Sequence, residues 1–402
     1  MDQFLPEEIH HLRESVIRFM ETAVVPEMAR YEEQGAFPRD LILKAGEAGL
    51  YGPVFPESLG GSQMGFLAMA VVAEELARLD IGFSLCHNPQ GMTCPYTIYA
   101  GGSEAQIKRY IPDLLSGQHI GCWALTEPGG GSDALGNMRT TAKRRGGSYY
   151  LNGSKMFITL ADQTDTGILF AKTDRNAGAK GVSAFIVEPK KYPGWEARPV
   201  EFVGLSQSLR SCEIFLDDFE VPKENLLGEE GQGFRYAMHA IQAGRVSVAA
   251  RSVGLARACL DEAIQYVKER EVRGKPLANY QFTQGMIADA LVNIESARLM
   301  TYHTAQLMDN DLPANRLSAQ AKYAASLALK QAAGFASELF GGYALAKDYR
   351  IARLSSYAHV FLVGEGAPSV QRVLIAEDAL GIKDADRHAT RYTNPQGLVM
   401  GL

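Results

Sequence analysis

The sequence predicts an α+β protein in three parts: a helical N-terminal domain over residues 1–121, a middle β domain over 122–231, barrel or sandwich, and a C-terminal bundle of three or four long helices over 232–402. Three observations carry this. Apolar residues at Ile9, Leu12, Val16, Phe19 and Met20 recur at the spacing of one helix face. From about residue 122 short runs of branched and aromatic residues are separated by turn residues at short intervals. Beyond 232, amphipathic stretches at about 232–269, 281–309 and 314–340 each exceed an average helix. Their short connections suggest antiparallel packing.

Taken in order, Leu5-Pro6-Glu7-Glu8 opens the first helix, with proline early and acids at the positive end of the dipole. Helical stretches follow at Leu41–Gly49, Phe66–Leu79 and Ala105–Leu115, and PESLGGSQMG reads as a loop. Tyr149 to Ile158 reads as a hairpin turning at Asn152-Gly153, a pair suited to positive φ. Gly167–Ala171, Val182–Val187 and Glu213–Val221 read as strands. Near the end, an apolar helix from Tyr357 to Val363 stops at Gly364, and Pro368 can open the next. Glu365 falls in that joint.

Composition narrows the function. The 402 residues hold 40 Lys and Arg against 46 Asp and Glu, a net charge of −6, which argues against nucleic acid and anionic membranes as partners. Five cysteines never form Cys-x-x-Cys, and eight histidines never form His-x-x-x-His, so neither a disulfide framework nor a metal site is expected. The longest apolar run, Phe66 to Ala73, is too short for a membrane span, and the polar N-terminus shows no signal-peptide pattern. The expected location is the cytoplasm or a soluble organellar matrix. No Gly-x-Gly-x-x-Gly fingerprint, phosphate loop or Gly-x-Ser-x-Gly elbow occurs.

Three segments suit chemistry. In Trp123-Ala-Leu-Thr-Glu-Pro-Gly-Gly-Gly-Ser-Asp133, three glycines allow backbone to approach a ligand and donate N–H bonds; a tight loop leaving a strand is the plainer alternative. Lys155-Met-Phe-Ile-Thr159 is a strand ending in a hydroxyl, as a flat aromatic ring would need, or a core strand. Glu365, between apolar helices with no Lys or Arg near it in sequence, is a carboxylate expected to titrate high, as a general base does, or a solvated loop acid.

Together these segments resemble the acyl-CoA dehydrogenase family. LTEPGGGSD, NGSKMFIT, VPKENLLGEEGQGF, AGRVSVAARSVGLARACLDEAIQYVKERE, RGKPLANYQ, FGGY and GEG all match, over nearly the whole chain to about Leu380. The resemblance implies the family's fold, with a middle β-barrel domain and a C-terminal four-helix bundle. It implies FAD between those two domains. Trp123, Leu125 and Thr126 would contact the isoalloxazine on one side, with Phe157, Ile158 and Thr159 on the other. Gly131 and Ser132 would shape the boundary between flavin and CoA. Arg270 would reach the FAD of a neighbouring subunit, with Glu338, Gly341 and Gly342 near its diphosphate, so a homodimer or homotetramer is implied. Glu365 matches the catalytic base, taking the α-proton of an acyl-CoA; Gly364, Gly366 and Arg245 would line the substrate. Some members carry the base on an early helix of the last domain; the matching place here, Gly244-Arg245, has no acid. Electron-transfer flavoprotein is the implied acceptor.

Departures from the family pattern carry information. Gly364 stands where a tyrosine is usual, which predicts a bulky, branched, cyclic or aryl-substituted acyl group. Ala367 and Ser369 replace polar residues that usually help hold FAD, Val272 and Arg273 replace Gln-Phe, Glu338 replaces a glutamine, and Ala344 replaces a glycine. MTCPYTIYAGGSEAQIKRYIPDLLSGQHIGCWALTEP and LIAEDALGIKDADR look most similar to the glutaryl-CoA branch, whose relatives include enzymes of anaerobic aromatic breakdown. Glutaryl enzymes hold the distal carboxylate with an arginine placed near Ser84 here. No Lys or Arg lies between Arg78 and Lys108, so glutaryl-CoA is disfavoured unless another residue supplies the charge; His87 is the nearest candidate. The competing readings are a dicarboxylic (glutaryl- or aryl-succinyl-type) dehydrogenase, an enoyl-CoA reductase or acyl-CoA oxidase on the same scaffold, and a DNA-associated flavoprotein, against which the net charge speaks.

Overall fold

The computed structural model describes residues 5–134 and 137–381. The end of the LIAEDALGIKDADR motif, from residue 382, lies outside the described residues.

Pro6 caps α1 (Glu7–Phe19), and Glu7 and Glu8 occupy its first turn. A wide turn at Met20–Val24 leads into α2 (Val25–Gln34), which ends at Gly35 in the left-handed region. α3 (Arg39–Glu47), α4 (Gly65–Leu79), α5 (Cys94–Gly101) and α6 (Glu104–Leu115) follow. Ser103 starts α6 with a reciprocal capping box to Gln106. α4 is buried on nearly every side, Glu74 and Glu75 included. Those acids are paired from across the molecule: Arg298 lies 2.9 Å from Glu74 and Arg257 2.9 Å from Glu75.

The middle region is a seven-stranded mixed sheet: β1 (Gly121–Ala124), β2 (Thr141–Arg145), β3 (Ser148–Thr159), β4 (Thr166–Lys172), β5 (Val182–Val187), β6 (Trp195–Pro199) and β7 (Ser211–Pro222). Pairing runs β1-β4-β2-β3-β7-β6, with β5 on β4. Among the described residues that path does not return from β6 to β1, so strand pairing leaves edges that a closed barrel lacks.

One sequence expectation is corrected here. Asn152-Gly153 is not a hairpin turn; β3 runs straight through it, and the reversal lies at Gly146-Gly147 between β2 and β3. The reason is the partner strand. The Asn152 side chain accepts from the Asp218 N–H at 3.0 Å, locking a bulge in β7 in which Asp217 and Asp218 lie opposite Asn152. Gly153, at φ 146°, lies so close to β2 that a Cβ would come within 2.7 Å of the Thr140 Cα.

The C-terminal region contains α7 (Gly233–Glu269), α8 (Gln281–Asp309), α9 (Asn315–Phe340), α10 (Arg350–Val363) and α11 (Pro368–Leu380). α7, with 37 residues, is about 55 Å long. Its buried alanine-rich face packs on α4, α8, α9 and α10. One apolar cluster joins the N-terminal helices to one face of the sheet and to α7 and α8, a second fills the bundle and reaches the end of α4, and a third fills the other face of the sheet. At their seam Glu32 of α2 accepts from the Gln207 N–H at 2.9 Å and pairs with Arg353 of α10 at 3.3 Å. Among the described residues no helix is long and apolar enough to cross a membrane.

Candidate active site

α10 ends at Gly364 in extended conformation, φ −63°, rather than in a left-handed cap. The next two residues make the turn. Glu365 itself sits at φ 54° and Gly366 at φ 102°. A non-glycine residue held there stores strain, a mark of functional positions. The joint is clamped from both sides. Lys322 of α9 donates to the carbonyls of Leu362 and Gly366, each at 2.8 Å, and Gln371 of α11 donates to those of Glu365 and Gly366, each at 3.2 Å.

The clamp turns the Glu365 carboxylate inward. Oε1 accepts from Nδ2 of Asn88, and Oε2 is closed off without a partner. Gly244 of α7 forms the wall behind it. A Cβ at 244 would collide with Oε2 and come within 2.9 Å of Cδ. The sequence shows no cation beside Glu365, but the fold brings three: Arg245, Arg251 and Lys322 all act on it. Burial still outweighs them and lifts the Glu365 carboxyl to about 7. The same desolvation lowers Arg245 and Arg251 to about 10 and Lys322 to about 8. His87, 1% exposed, is pushed down to about 3 by burial and by Arg251, so it is neutral and supplies no charge.

At the end of the sheet the Thr126 carbonyl accepts from the Met156 N–H at 2.9 Å, joining the segment after β1 to β3. Lys155 fixes that segment. Its fully buried ammonium donates to the Leu125 carbonyl at 3.1 Å and to Glu127 at 2.9 Å. Glu127 also accepts from the N–H groups of Arg139 and Thr140. Beside this anchor Phe157 leaves the ladder at φ 61° and stands 53% exposed, its ring 5.9 Å from that of Phe202. Thr126 and Thr159 are half-buried, and Gly131 and Ser132 lie in an exposed loop. An exposed apolar plate with hydroxyls at its rim fits a flat flavin ring. Two residues stand differently from expectation. Trp123 turns its indole toward the N-terminal region, donating to Thr97 at 3.0 Å. Ile158 points into the sheet core, so its backbone alone is offered outward.

Arg270, Glu338, Gly341 and Gly342 are exposed and lie elsewhere. Tyr266 and Phe340 stack at 4.0 Å and bring the ends of α7 and α9 together there. Along α7, Arg270 is about 39 Å from Gly244.

Sequence reading missed Asn88, Arg251, Lys322, Gln371 and the Lys155–Glu127 pair. The available signal was a charged residue inside an otherwise apolar helix face, as in VAARSVG and AKYAAS.

This fold and site define a three-domain protein with an enclosed, inward-facing carboxylate between its last two helices. The comparisons agree. The acyl-CoA dehydrogenase N-terminal domain matches residues 6–118, the middle domain 122–219 and the C-terminal domain 231–380. A glutaryl-CoA dehydrogenase from Desulfococcus multivorans is 39% identical over 391 residues, 96% of this chain and all of that protein. The CarC subunit of the caffeyl-CoA reductase-Etf complex of Acetobacterium woodii is 38% identical, covering 86% of this chain and 90% of its own. The structure of a glutaryl-coenzyme A dehydrogenase in complex with glutaryl-CoA superposes with a TM-score of 0.91 at 38% identity, covering 98% of this chain and 100% of that one. The chain belongs to the acyl-CoA dehydrogenase family, FAD-dependent oxidoreductases that act on CH–CH bonds.

Proposed function

We propose that this enzyme dehydrogenates an acyl-CoA at the α,β-bond with Glu365 as the base. The carrying observation is the Glu365 carboxylate, strained, enclosed and lifted to about 7. Such a group is ionised often enough near neutrality to remove a proton and basic enough to hold it. The α-proton of a thioester is weakly acidic, so the developing enolate needs hydrogen-bond donors at its carbonyl oxygen. The Glu365 backbone N–H, opened by Gly366, is the donor this chain supplies. Arg245 adds positive charge nearby. Bound FAD would supply the hydride acceptor for the β-hydrogen. Phe157, Thr126, Thr159, the Ile158 backbone, Trp123 and Leu125 would seat its ring, with Gly131 and Ser132 at the CoA side. Arg270, Glu338, Gly341 and Gly342 serve the cofactor of a second copy, because their own chain's site is too far away. The assembly is therefore a homodimer or homotetramer.

A bulky, cyclic or aryl-substituted acyl group, of the kind met in aromatic or alicyclic acid degradation, is supported at Gly364. A Cβ there would press on the Val360 carbonyl oxygen at 3.1 Å but meet no side chain, so no side chain fills the place that the usual tyrosine would take. Electron-transfer flavoprotein is the proposed acceptor, supported by the relative named as part of an Etf complex. That relative is also named a reductase, which favours the enoyl-CoA reductase direction as the second reading.

An anaerobic visible titration with linear, cyclic, glutaryl and aryl-succinyl thioesters tests the reading. Bleaching of the flavin band by one thioester, lost in Glu365→Gln, supports it. Bleaching retained in Glu365→Gln would remove the base assignment. A linear series reacting fastest would remove the bulky-substrate assignment.

A further inference from the structure

Lys155 lies fully buried in β3, behind the flavin seat. An ammonium there is costly, and an apolar side chain of similar length would fill the space at least as well. Its contacts give the charge a direction. Nζ donates to the Leu125 carbonyl at 3.1 Å and to Glu127 at 2.9 Å. Burial lowers Lys155 to about 8 although Glu127 opposes the shift. Burial also works against the Glu127 charge, but Lys155 and the hydrogen bonds outweigh it and hold that carboxyl below its ordinary value. Both members are therefore ionised at neutral pH. The negative end is spread over the N–H groups of Arg139 and Thr140, at 2.6 and 3.1 Å. The positive end rests on the Leu125 carbonyl.

That carbonyl shares its peptide with the Thr126 N–H. In a trans peptide the two groups point to opposite sides. With the carbonyl turned inward onto Lys155, the N–H of half-buried Thr126 points away from the buried side. The Thr126 carbonyl is already taken by the Met156 N–H at 2.9 Å, and among the described residues no protein group accepts from the Thr126 N–H. A cation on the carbonyl oxygen polarises the whole peptide and makes its N–H a stronger donor, as linked hydrogen bonds strengthen one another where the dielectric is low.

We propose that Lys155 is a positioning residue that raises the reduction potential of the bound flavin, acting through the Leu125–Thr126 peptide. This rests on the flavin seat described above and adds to it a residue that does not touch the ring. A hydride brings two electrons and one proton, so its transfer places one negative charge on the ring. The polarised Thr126 N–H, with the ammonium behind it, favours that charged state over the neutral one. The buried pair thus makes the seat a better hydride sink as well as a rigid one.

The test is the two-electron midpoint potential of the FAD-loaded enzyme, read by reductive titration against an indicator dye. Lys155→Met combined with Glu127→Gln removes the pair without stranding either charge. It should lower the preference for reduced over oxidised FAD about tenfold, a drop of about 30 mV in the midpoint. Thr140→Val takes from the same anchor the hydroxyl's bond to the Ser154 carbonyl, 3.3 Å long, without touching its charge, and should leave the midpoint in place. An unchanged midpoint in the double variant, with FAD held more weakly in both redox states, would make Lys155 a structural anchor and overturn the inference, while the flavin seat stands. An equal drop in Thr140→Val would overturn it too. If the methionine variant does not fold, Lys155→Gln with Glu127→Gln, a neutral hydrogen-bonding pair, decides in its place by the same outcomes. If the wild-type chain holds no FAD, the flavin seat falls and this inference with it.

Discussion

At the scale of single residues, the site turns on where one carboxylate is held. Burial lifts Glu365 to about 7, so with Glu365 as the proposed base, which acts ionised, kcat/KM should rise with pH up to about 7 and then level. The Asn88 hydrogen bond favours the ionised form, so Asn88→Ala should move that limb to higher pH, by up to about one unit, in a pH–rate profile. Gly244→Ala puts a methyl where the carboxylate lies. It should lower kcat about 100-fold through misplacement of the base, with the flavin spectrum unchanged. The joint that holds Glu365 was legible in the sequence, marked by two glycines and a proline, while the role proposed for the carboxylate came from the family resemblance. The carboxylate's surroundings were not legible. Asn88 is 277 residues away along the chain, and the cations sit on helices whose packing alone brings them near. A sequence shows a charged residue in an apolar stretch but not which acid it will face.

At the scale of elements, the long helices were legible and the sheet was legible only in part. α7, α8 and α9 keep the helical period over many turns, and their ends agree with the sequence to within a residue or two. β2 (TAKRR) is polar and mostly exposed, and β6 (WEARP) is only five residues long with no fully buried position, so neither stands out from its surroundings in the sequence. β3 was misread because Asn-Gly is a turn signal whose use depends on the partner strand. The element that most needs its anchor is the segment after β1. Lys155→Met would strand the buried Glu127 carboxylate beneath it. The expected loss is about 3–5 kcal/mol in urea unfolding, the range for breaking a buried pair from one side. Adding Glu127→Gln should recover part of that.

At the scale of the whole molecule, α7 contributes to two places that its length keeps apart. A mixture of Arg270→Glu and Glu365→Gln chains, each inactive alone, tests whether the cofactor site spans two copies. Refolding or co-expressing them should restore about a quarter of wild-type activity, because half the pairs are mixed and each mixed pair holds one intact site. No recovery would place Arg270 outside the cofactor site. Three-domain order was legible from texture alone: helical, then β, then helical. The seam at Glu32 and Arg353 was not, since its members come from elements far apart in sequence.

The overlap between Gly244 and Glu365 also bears on descent. Relatives that carry their base on the early helix of the last domain have it at the place matching Gly244 and Arg245. Here the two positions share one volume. A lineage changing one codon at a time from one arrangement to the other passes through an ancestor with two colliding acids or with none. Either is a poor catalyst. The fork between the two groups is therefore expected to be old and seldom recrossed.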